Sequence, residues 1–278
     1  MKRSKTEILW LVIKYVLMII FAVSCLYPIF WLVLSSFKTN QELYMNTWGL
    51  PQNFSWKNYS DAITTGGILR YFGNSAIIAV VAVIITSFLA TMASYAITRM
   101  NWKLSKFVYT LFLMGMMVPI YGLIIPLFST FKQMGLLNTR TSVIIPQIAL
   151  GFPMSIFIIC GFMRSIPREL EEAAVIDGCT IYQCFIRVIL PITKASIVTV
   201  MVVQFVNVWN DLLIPRIFLT DQAKMTLPVG LTNFKSQYST NYVGMIAAVI
   251  LTIIPSIIVY IVLHKQIMEG MVAGAVKG

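Results

Sequence analysis

The sequence predicts an all-α, polytopic membrane protein with six transmembrane helices, and three observations support this prediction. Of the 278 residues, 58% are hydrophobic and only 11% are charged, whereas a soluble domain is about one quarter charged. The mean hydropathy of the whole chain is +0.82. The chain also contains six separate runs of about 20 mainly apolar residues, which is the length that a helix needs to cross a bilayer.

The six apolar runs are separated by short polar segments. They cover residues 9–34, 74–97, 107–128, 143–163, 192–219 and 242–263. The first run is longer than the apolar part of a signal peptide, and no small-x-small cleavage site closes it, so we expect a retained span. The polar segments leave no room for a large soluble domain. The phosphate-binding pattern Gly-x-x-x-x-Gly-Lys-Ser/Thr is absent, so the chain is not expected to bind ATP itself.

Lysine and arginine residues predict the orientation of these spans. If the spans alternate, three basic clusters fall on one side of the membrane. The clusters are Lys2, Arg3 and Lys5; Arg99, Lys103 and Lys106; and Arg164, Arg168, Arg187 and Lys194. Positive charge marks the cytoplasmic side. We therefore expect both termini in the cytoplasm of a cell whose plasma (inner) membrane holds the chain.

The charge and the reactive residues exclude several classes of function. A net charge of +11 is explained by this orientation bias, so no nucleic-acid partner is expected. The four cysteines have no metal-ligand spacing, and we expect reduced, packed thiols and no metal site. A membrane-embedded hydrolase needs converging histidine, carboxylate or serine groups. One histidine and one acid at membrane depth, Asp211, do not supply them, so no catalytic residue is expected.

Residues 164–191 form a polar interruption that predicts a helix, a sharp turn and a second helix. Ser165 is expected to be the N-cap of the first helix, with Pro167 in its first turn. Gly178 stands where a helix favours a left-handed residue, and Thr180 with Gln183 has the spacing of a capping box. Four residues at helical spacing share a face that alanine methyl groups make nearly flat, and we expect it to point outward. They are Leu170, Ala173, Ala174 and Asp177.

This segment is open to two interpretations, a solvated connector or a docking element for a soluble partner. The order Glu172-Ala173-Ala174, Asp177-Gly178 and Leu190-Pro191 resembles the EAA motif of permeases from binding-protein-dependent ABC importers. The family often has isoleucine where this chain has Val188. The resemblance implies the type I ABC importer permease fold and a coupling helix that sits in a cleft of the ATP-hydrolysing subunit. It assigns ATPase coupling to Glu169, Leu170, Glu172, Ala173, Ala174, Asp177 and Gly178.

Polar residues in the fifth apolar run form a second candidate site. Asn207, Asn210 and Asp211 lie in an otherwise apolar segment, and polar groups at membrane depth usually face a bundle interior or an aqueous path. Trp209-Asn210-Asp211 resembles a sequence found in carbohydrate-importer permeases, which implies a role in the translocation path or its gate. The alternative is an ion pair between Asp211 and Arg216 that only holds helices together. Prolines in the third and fourth runs predict kinks that suit either a path or plain packing.

Two further segments resemble parts of carbohydrate permeases. Residues 220–241 are expected to form an outer loop, and the resemblance to maltose-type importers implies contact with the binding protein through Asn233, Phe234, Gln237 and Tyr238. The Gly- and Ala-rich tail resembles the ending of the second maltose permease. That ending implies ATPase contact through Gly274, Val276 and Lys277.

Together these features predict three regions and one function. Residues 1–70 would hold the tail, the first span and an outer loop; 71–264 the transmembrane core with the coupling loop 164–191; and 265–278 a cytoplasmic tail. The resemblance implies a permease subunit of an ATP-driven carbohydrate importer, in particular of an oligosaccharide. It also implies a second homologous permease, two ATP-binding subunits that bind the ATP, and an extracytoplasmic solute-binding protein. The alternative is an ion-coupled secondary transporter, for which we find no internal repeat.

Overall fold

All regular secondary structure is helical in the part of the chain that the computed structural model describes, residues 5–237 and 241–275. Those ranges contain no strand, and the all-α prediction is confirmed. Within the described ranges, four helices are long and apolar enough to cross a membrane. They are α1 (Lys5–Ser35), α4 (Ile68–Arg99), α7 (Arg140–Met163) and α14 (Tyr242–Ala275). Two short helices, α2 (Asn40–Met45) and α3 (Lys57–Thr64), precede α4.

The other two predicted spans are broken rather than continuous. The third consists of α5 (Ser105–Gly115) and α6 (Ile120–Gln133), which meet at 95°. Pro119, expected to kink one helix, is instead the N-cap of α6. If each bent pair counts as one span, the described chain has six candidate spans.

The fifth predicted span is preceded and followed by further helices. The elements after α7 are α8 (Glu169–Ile176), α9 (Ile181–Cys184), a π-helical turn (Phe185–Ile189), α10 (Leu190–Ile192), α11 (Lys194–Asn210), α12 (Leu213–Phe218) and α13 (Leu227–Gln237). The segments on either side of Thr193 meet at 71°. The helical segment that begins at Ile181 therefore continues through Pro191 to Ile192. The expected loop at 220–241 contains a helix, because Pro228 in its first turn and the apolar residues beside it favour one.

Residues 1–68 and 231–253 form one compact unit. Its core contains Leu43, Val243 and Ile246, against which Trp31 packs. Lys38 is 1% exposed, and its ammonium donates to the carbonyls of Asn46 (2.8 Å) and Thr47 (3.2 Å).

The second compact unit, residues 69–230 and 254–278, contains both candidate sites. Its central element is α7, which packs against α5, α11 and α12. One face of α7 contributes fully buried side chains to a hydrophobic core. They include Ile156, Ile159, Cys160 and Met163. Residues of α4 and the π-helical turn, such as Ala90 and Ile189, complete it. Ile166, just before α8, and Val200, in α11 after α10, belong to the same core. This packing therefore fixes α7 relative to both segments.

Candidate functional site

The segment from α8 to α9, residues 169–184, forms the helix–turn–helix that the sequence predicts, and we call it the elbow. Gly178 has a φ of +86°, the left-handed conformation that glycine adopts without steric cost. The Thr180 amide donates to Gln183 Oε1 (2.8 Å), and the Gln183 amide donates to Thr180 Oγ1 (3.4 Å). The capping box and the glycine turn are therefore confirmed.

The predicted start of α8 is wrong. Ser165 is not the N-cap, because its hydroxyl donates to the Phe162 carbonyl (2.7 Å) at the end of α7. Arg168 occupies the N-cap and makes no side-chain cap. The three acids of the first turn, Glu169, Glu171 and Glu172, lie where the positive end of the helix favours negative charge.

The elbow presents an apolar surface that differs from the predicted one. Ala174 is buried, because α8 packs on α9 and on the π-helical turn, and the prediction that it faces outward is wrong. Leu170 is 44% exposed, Val175 58% and Ile176 85%. Glu169, Glu172, Ala173 and Asp177 are exposed around them. The outward surface is therefore aliphatic with an acidic rim, not a flat stripe of methyl groups.

Arg99, the last residue of α4, attaches the elbow to the rest of the chain. Its Nη1 lies 3.3 Å from Glu171 Oε2, and its Nη2 donates to the carbonyls of Met163 (2.6 Å) and Ile166 (2.7 Å). The Arg99 side chain is 4% exposed and that of Glu171 17%. We call this group the Arg99 clamp. In the sequence, Arg99 indicates only the orientation of the spans, and no spacing pattern links it to Glu171.

A cavity of about 350 Å³ opens beside the Arg99 clamp. Its lining combines charged groups, Arg99, Arg168, Glu171 and Glu172, with exposed apolar side chains that include Ile176 and Ile181. The elbow therefore combines an exposed helix face with a recess of mixed charged and apolar lining.

The second candidate site is a cavity of about 360 Å³ at Asp211. We call it the Asp211 pocket, and its lining includes Tyr121, Gln147, Gly151, Gln204, Asn207 and Asp211. Asp211 lies between the end of α11 and the start of α12. Its Oδ2 accepts from Gln147 Nε2 (2.5 Å), and its Oδ1 accepts from the Leu213 amide (3.0 Å).

The structure shows the contacts of Asp211 and the positions of the two asparagines. Among the described residues, Asp211 is held by Gln147 and by the Leu213 amide, and it forms no ion pair with Arg216. Asn207 lines the pocket, whereas Asn210 lies outside the lining and donates to the Val206 carbonyl (2.8 Å). Gln147 and Gln204 were missed, because a glutamine inside an apolar run gives no local signal of its partner.

The remaining predicted sites are placed only in part. Asn233, Phe234 and Gln237 lie in α13, and Gly274 lies in α14. Tyr238, Val276 and Lys277 lie outside the described residues. The four cysteines are free, and the described residues contain no group of three metal-ligating side chains.

Comparison with known proteins identifies the family. Residues 82–267 match the family described as "Binding-protein-dependent transport system inner membrane component". The chain is 33% identical to the arabinooligosaccharides transport system permease protein of Halalkalibacterium halodurans, and the match covers 100% of both chains. It is 32% identical to the diacetylchitobiose uptake system permease protein of Streptomyces coelicolor, over 95% of this chain and 88% of that protein.

A solved structure has the same fold. One chain of a bacterial ABC transporter involved in the import of the acidic polysaccharide alginate matches with a TM-score of 0.80 and 23% identity. The match covers 95% of this chain and 99% of that one. It confirms the predicted importer permease fold. On the family match and these relatives, the chain belongs to the inner membrane components of binding-protein-dependent transport systems, which are transport permeases and not enzymes.

Proposed function

We propose that this chain is the permease subunit of an ATP-driven importer of oligosaccharides. It would form half of the translocation path beside a second homologous permease. The relatives named above take up arabinooligosaccharides and diacetylchitobiose, as their names state, and this supports a saccharide substrate. An extracytoplasmic solute-binding protein would deliver that substrate, and two ATP-binding subunits would bind ATP.

The elbow is the site at which this chain would receive movement from an ATP-binding subunit. The observation that carries the proposal is that α8 exposes aliphatic side chains, Val175 and Ile176, while the Arg99 clamp fixes the same helix to α4 and α7. An exposed apolar patch with a polar rim favours a protein partner. A push on α8 would therefore reach the spans through a charged, hydrogen-bonded attachment.

The placement of the chain in the plasma membrane follows from the same proposal. Both termini and the elbow would lie in the cytoplasm, where ATP is available, and residues 71–264 would form the membrane core. Residues 265–278, with Gly274, Val276 and Lys277, would contact the ATP-binding subunits. Asn233, Phe234, Gln237 and Tyr238 would face the solute-binding protein on the outer side.

Two elbow variants test the coupling role. Glu172→Lys reverses an exposed charge at the rim of α8, and Gly178→Val forces a β-branched residue into a left-handed turn at a cost of about 1–2 kcal/mol. We expect both to abolish uptake of radiolabelled arabinotriose or diacetylchitobiose by cells, with unchanged amounts of the chain in the membrane. Gly161→Ala is the control, because no atom other than those of the adjacent residues and of its own helix backbone lies within 4 Å of the added methyl group. Normal uptake by both elbow variants would contradict the coupling role.

The energy source distinguishes this proposal from an ion-coupled transporter. Uptake by membrane vesicles is expected to need internal ATP and to continue after ionophores abolish the ion gradients. A secondary transporter gives the opposite result, with uptake that continues without ATP and stops when the gradients collapse.

A further inference from the structure

The Asp211 pocket lies where two interrupted helices meet α7. Val118 and Ile120 flank the break between α5 and α6, Asp211 and Leu213 flank the break between α11 and α12, and all four line the pocket. Within a bilayer, non-helical backbone is tolerated only where it is buried in protein or lines a water-filled cavity. Both breaks lie at one cavity whose lining includes amide and carboxylate groups, which matches the second of these two situations.

The polar groups of this pocket are held in place but retain hydrogen-bonding capacity. Gln204 Nε2 donates to the Gln147 carbonyl (2.8 Å), and Gly151 permits this approach, because a methyl group there would overlap the Gln204 amide. Gln147 and Asp211 fix one another. The side-chain oxygens of Gln147 and Gln204 accept no hydrogen bond from a described residue. The exposed Asn207 amide has no hydrogen-bond partner among those residues either.

The chemistry of this lining selects a class of ligand. Amide and carboxylate oxygens accept from hydroxyl groups, and amide nitrogens donate to them. Tyr121, 76% exposed, adds an aromatic ring that can cover the apolar C–H face of a pyranose. One carboxylate is too few for a bare divalent cation, which takes several oxygen ligands, and it repels anions. An apolar ligand would leave the Asn207 amide and the side-chain oxygens of Gln147 and Gln204 without partners, which is costly.

We propose that the Asp211 pocket is a saccharide-binding subsite contributed by this chain to the translocation path. This inference rests on the proposed function and adds that the chain itself contacts the transported sugar. The volume of about 360 Å³ lies within the range of about 300–1,000 Å³ that is typical of small-molecule sites. Hydrogen bonds from neutral amides suit a site that a sugar must enter and also leave.

Asn207 and Asn210 provide a matched pair for the test. They are the same residue type on the same helix and both are exposed, but only Asn207 lines the pocket. The complete importer, with its partner subunits, is reconstituted in proteoliposomes. Radiolabelled arabinotriose, diacetylchitobiose and maltotriose serve as probes. The measurement is the number of sugar molecules transported per ATP hydrolysed.

We expect Asn207→Ala to lower this ratio about fivefold, as the loss of one hydrogen bond implies, and Asn210→Ala to leave it unchanged. Tyr121→Leu should lower the ratio, and Tyr121→Phe, which keeps the ring, should restore it. A general structural defect instead lowers transport and hydrolysis together and leaves their ratio constant.

The outcomes separate the two proposals. ATP-dependent uptake by the wild-type complex with equal ratios for Asn207→Ala and Asn210→Ala overturns the subsite alone. A wild-type complex that transports none of the three probes in the presence of ATP overturns the oligosaccharide importer and the subsite with it.

Discussion

Removal of the Arg99 guanidinium should detach the elbow from the spans. In Arg99→Ala, the Glu171 carboxylate loses its partner at 3.3 Å, and the carbonyls of Met163 and Ile166 lose a charged donor. Because the Arg99 side chain is 4% exposed, little water is available to replace it. Loss of one partner from a buried ion pair costs about 3–5 kcal/mol, and we expect this cost to fall on the local stability of α8.

Two companion variants, Glu171→Gln and Arg99→Lys, should each reduce the local stability of α8 less than Arg99→Ala does. Glu171→Gln leaves Arg99 with its two carbonyl acceptors, so it should cost less than Arg99→Ala. Arg99→Lys restores the charge but not the planar fork that reaches the carboxylate and both carbonyls. It should therefore fall between wild type and Arg99→Ala.

Hydrogen–deuterium exchange of the complex in nanodiscs measures this effect. A cost of about 3–5 kcal/mol corresponds to α8 amides that exchange roughly a hundredfold to a few thousandfold faster. Sugar uptake driven by ATP should fall in the same variants. Lys103→Ala is the control, because Lys103 is exposed on the segment that follows Arg99. Unchanged α8 protection in Arg99→Ala, or a larger effect in Glu171→Gln, would refute the reasoning.

Two further changes test the packing of the second compact unit, residues 69–230 and 254–278. The measurement is the thermal unfolding of the purified complex. Asn74→Ala removes donors to the carbonyls of Ala223 and Met225, both at 2.9 Å, and the acceptor of Arg140. It should destabilise the chain by about 2–4 kcal/mol, and an effect below that range would contradict it. Gly230→Ala places a methyl group into the buried Tyr71 ring and should cost about 1–3 kcal/mol. Wild-type stability would show that the ring moves freely.

The features that the sequence predicted correctly depend on short-range chemistry. Apolar runs of spanning length predict the helices, since each needs only its own residues. Gly178 and the capping box of Thr180 and Gln183 are likewise defined by neighbours within one turn. Ser165 shows the limit of such rules. It has two acceptable local partners, and the carbonyl end of α7 competes successfully with the start of α8.

The contacts that define the candidate sites could not be predicted, because they join residues far apart in the chain. The partner of Glu171 is at the end of α4, and the partner of Asp211 is in α7. Glu171 contacts Arg99, whereas Glu169 and Glu172 are exposed. This difference depends on the packing of α8 and not on its composition. The prolines predicted interruptions, but a kink and a 95° break have the same local sequence signal.

Helix α7 belongs to both candidate sites, so the Arg99 variants and the pocket variants should differ in their effects on hydrolysis and transport. α7 carries Gln147 and Gly151 at the Asp211 pocket, and its terminal residue Met163 accepts from the Arg99 clamp. At 1.5 Å per residue, Gln147 and Met163 are roughly 24 Å apart along the helix. A closely packed helix moves as a unit, so displacement at the clamp would reach the pocket. Loss of the clamp should then impair both hydrolysis and transport, whereas a change in the pocket should alter only the sugar carried per ATP.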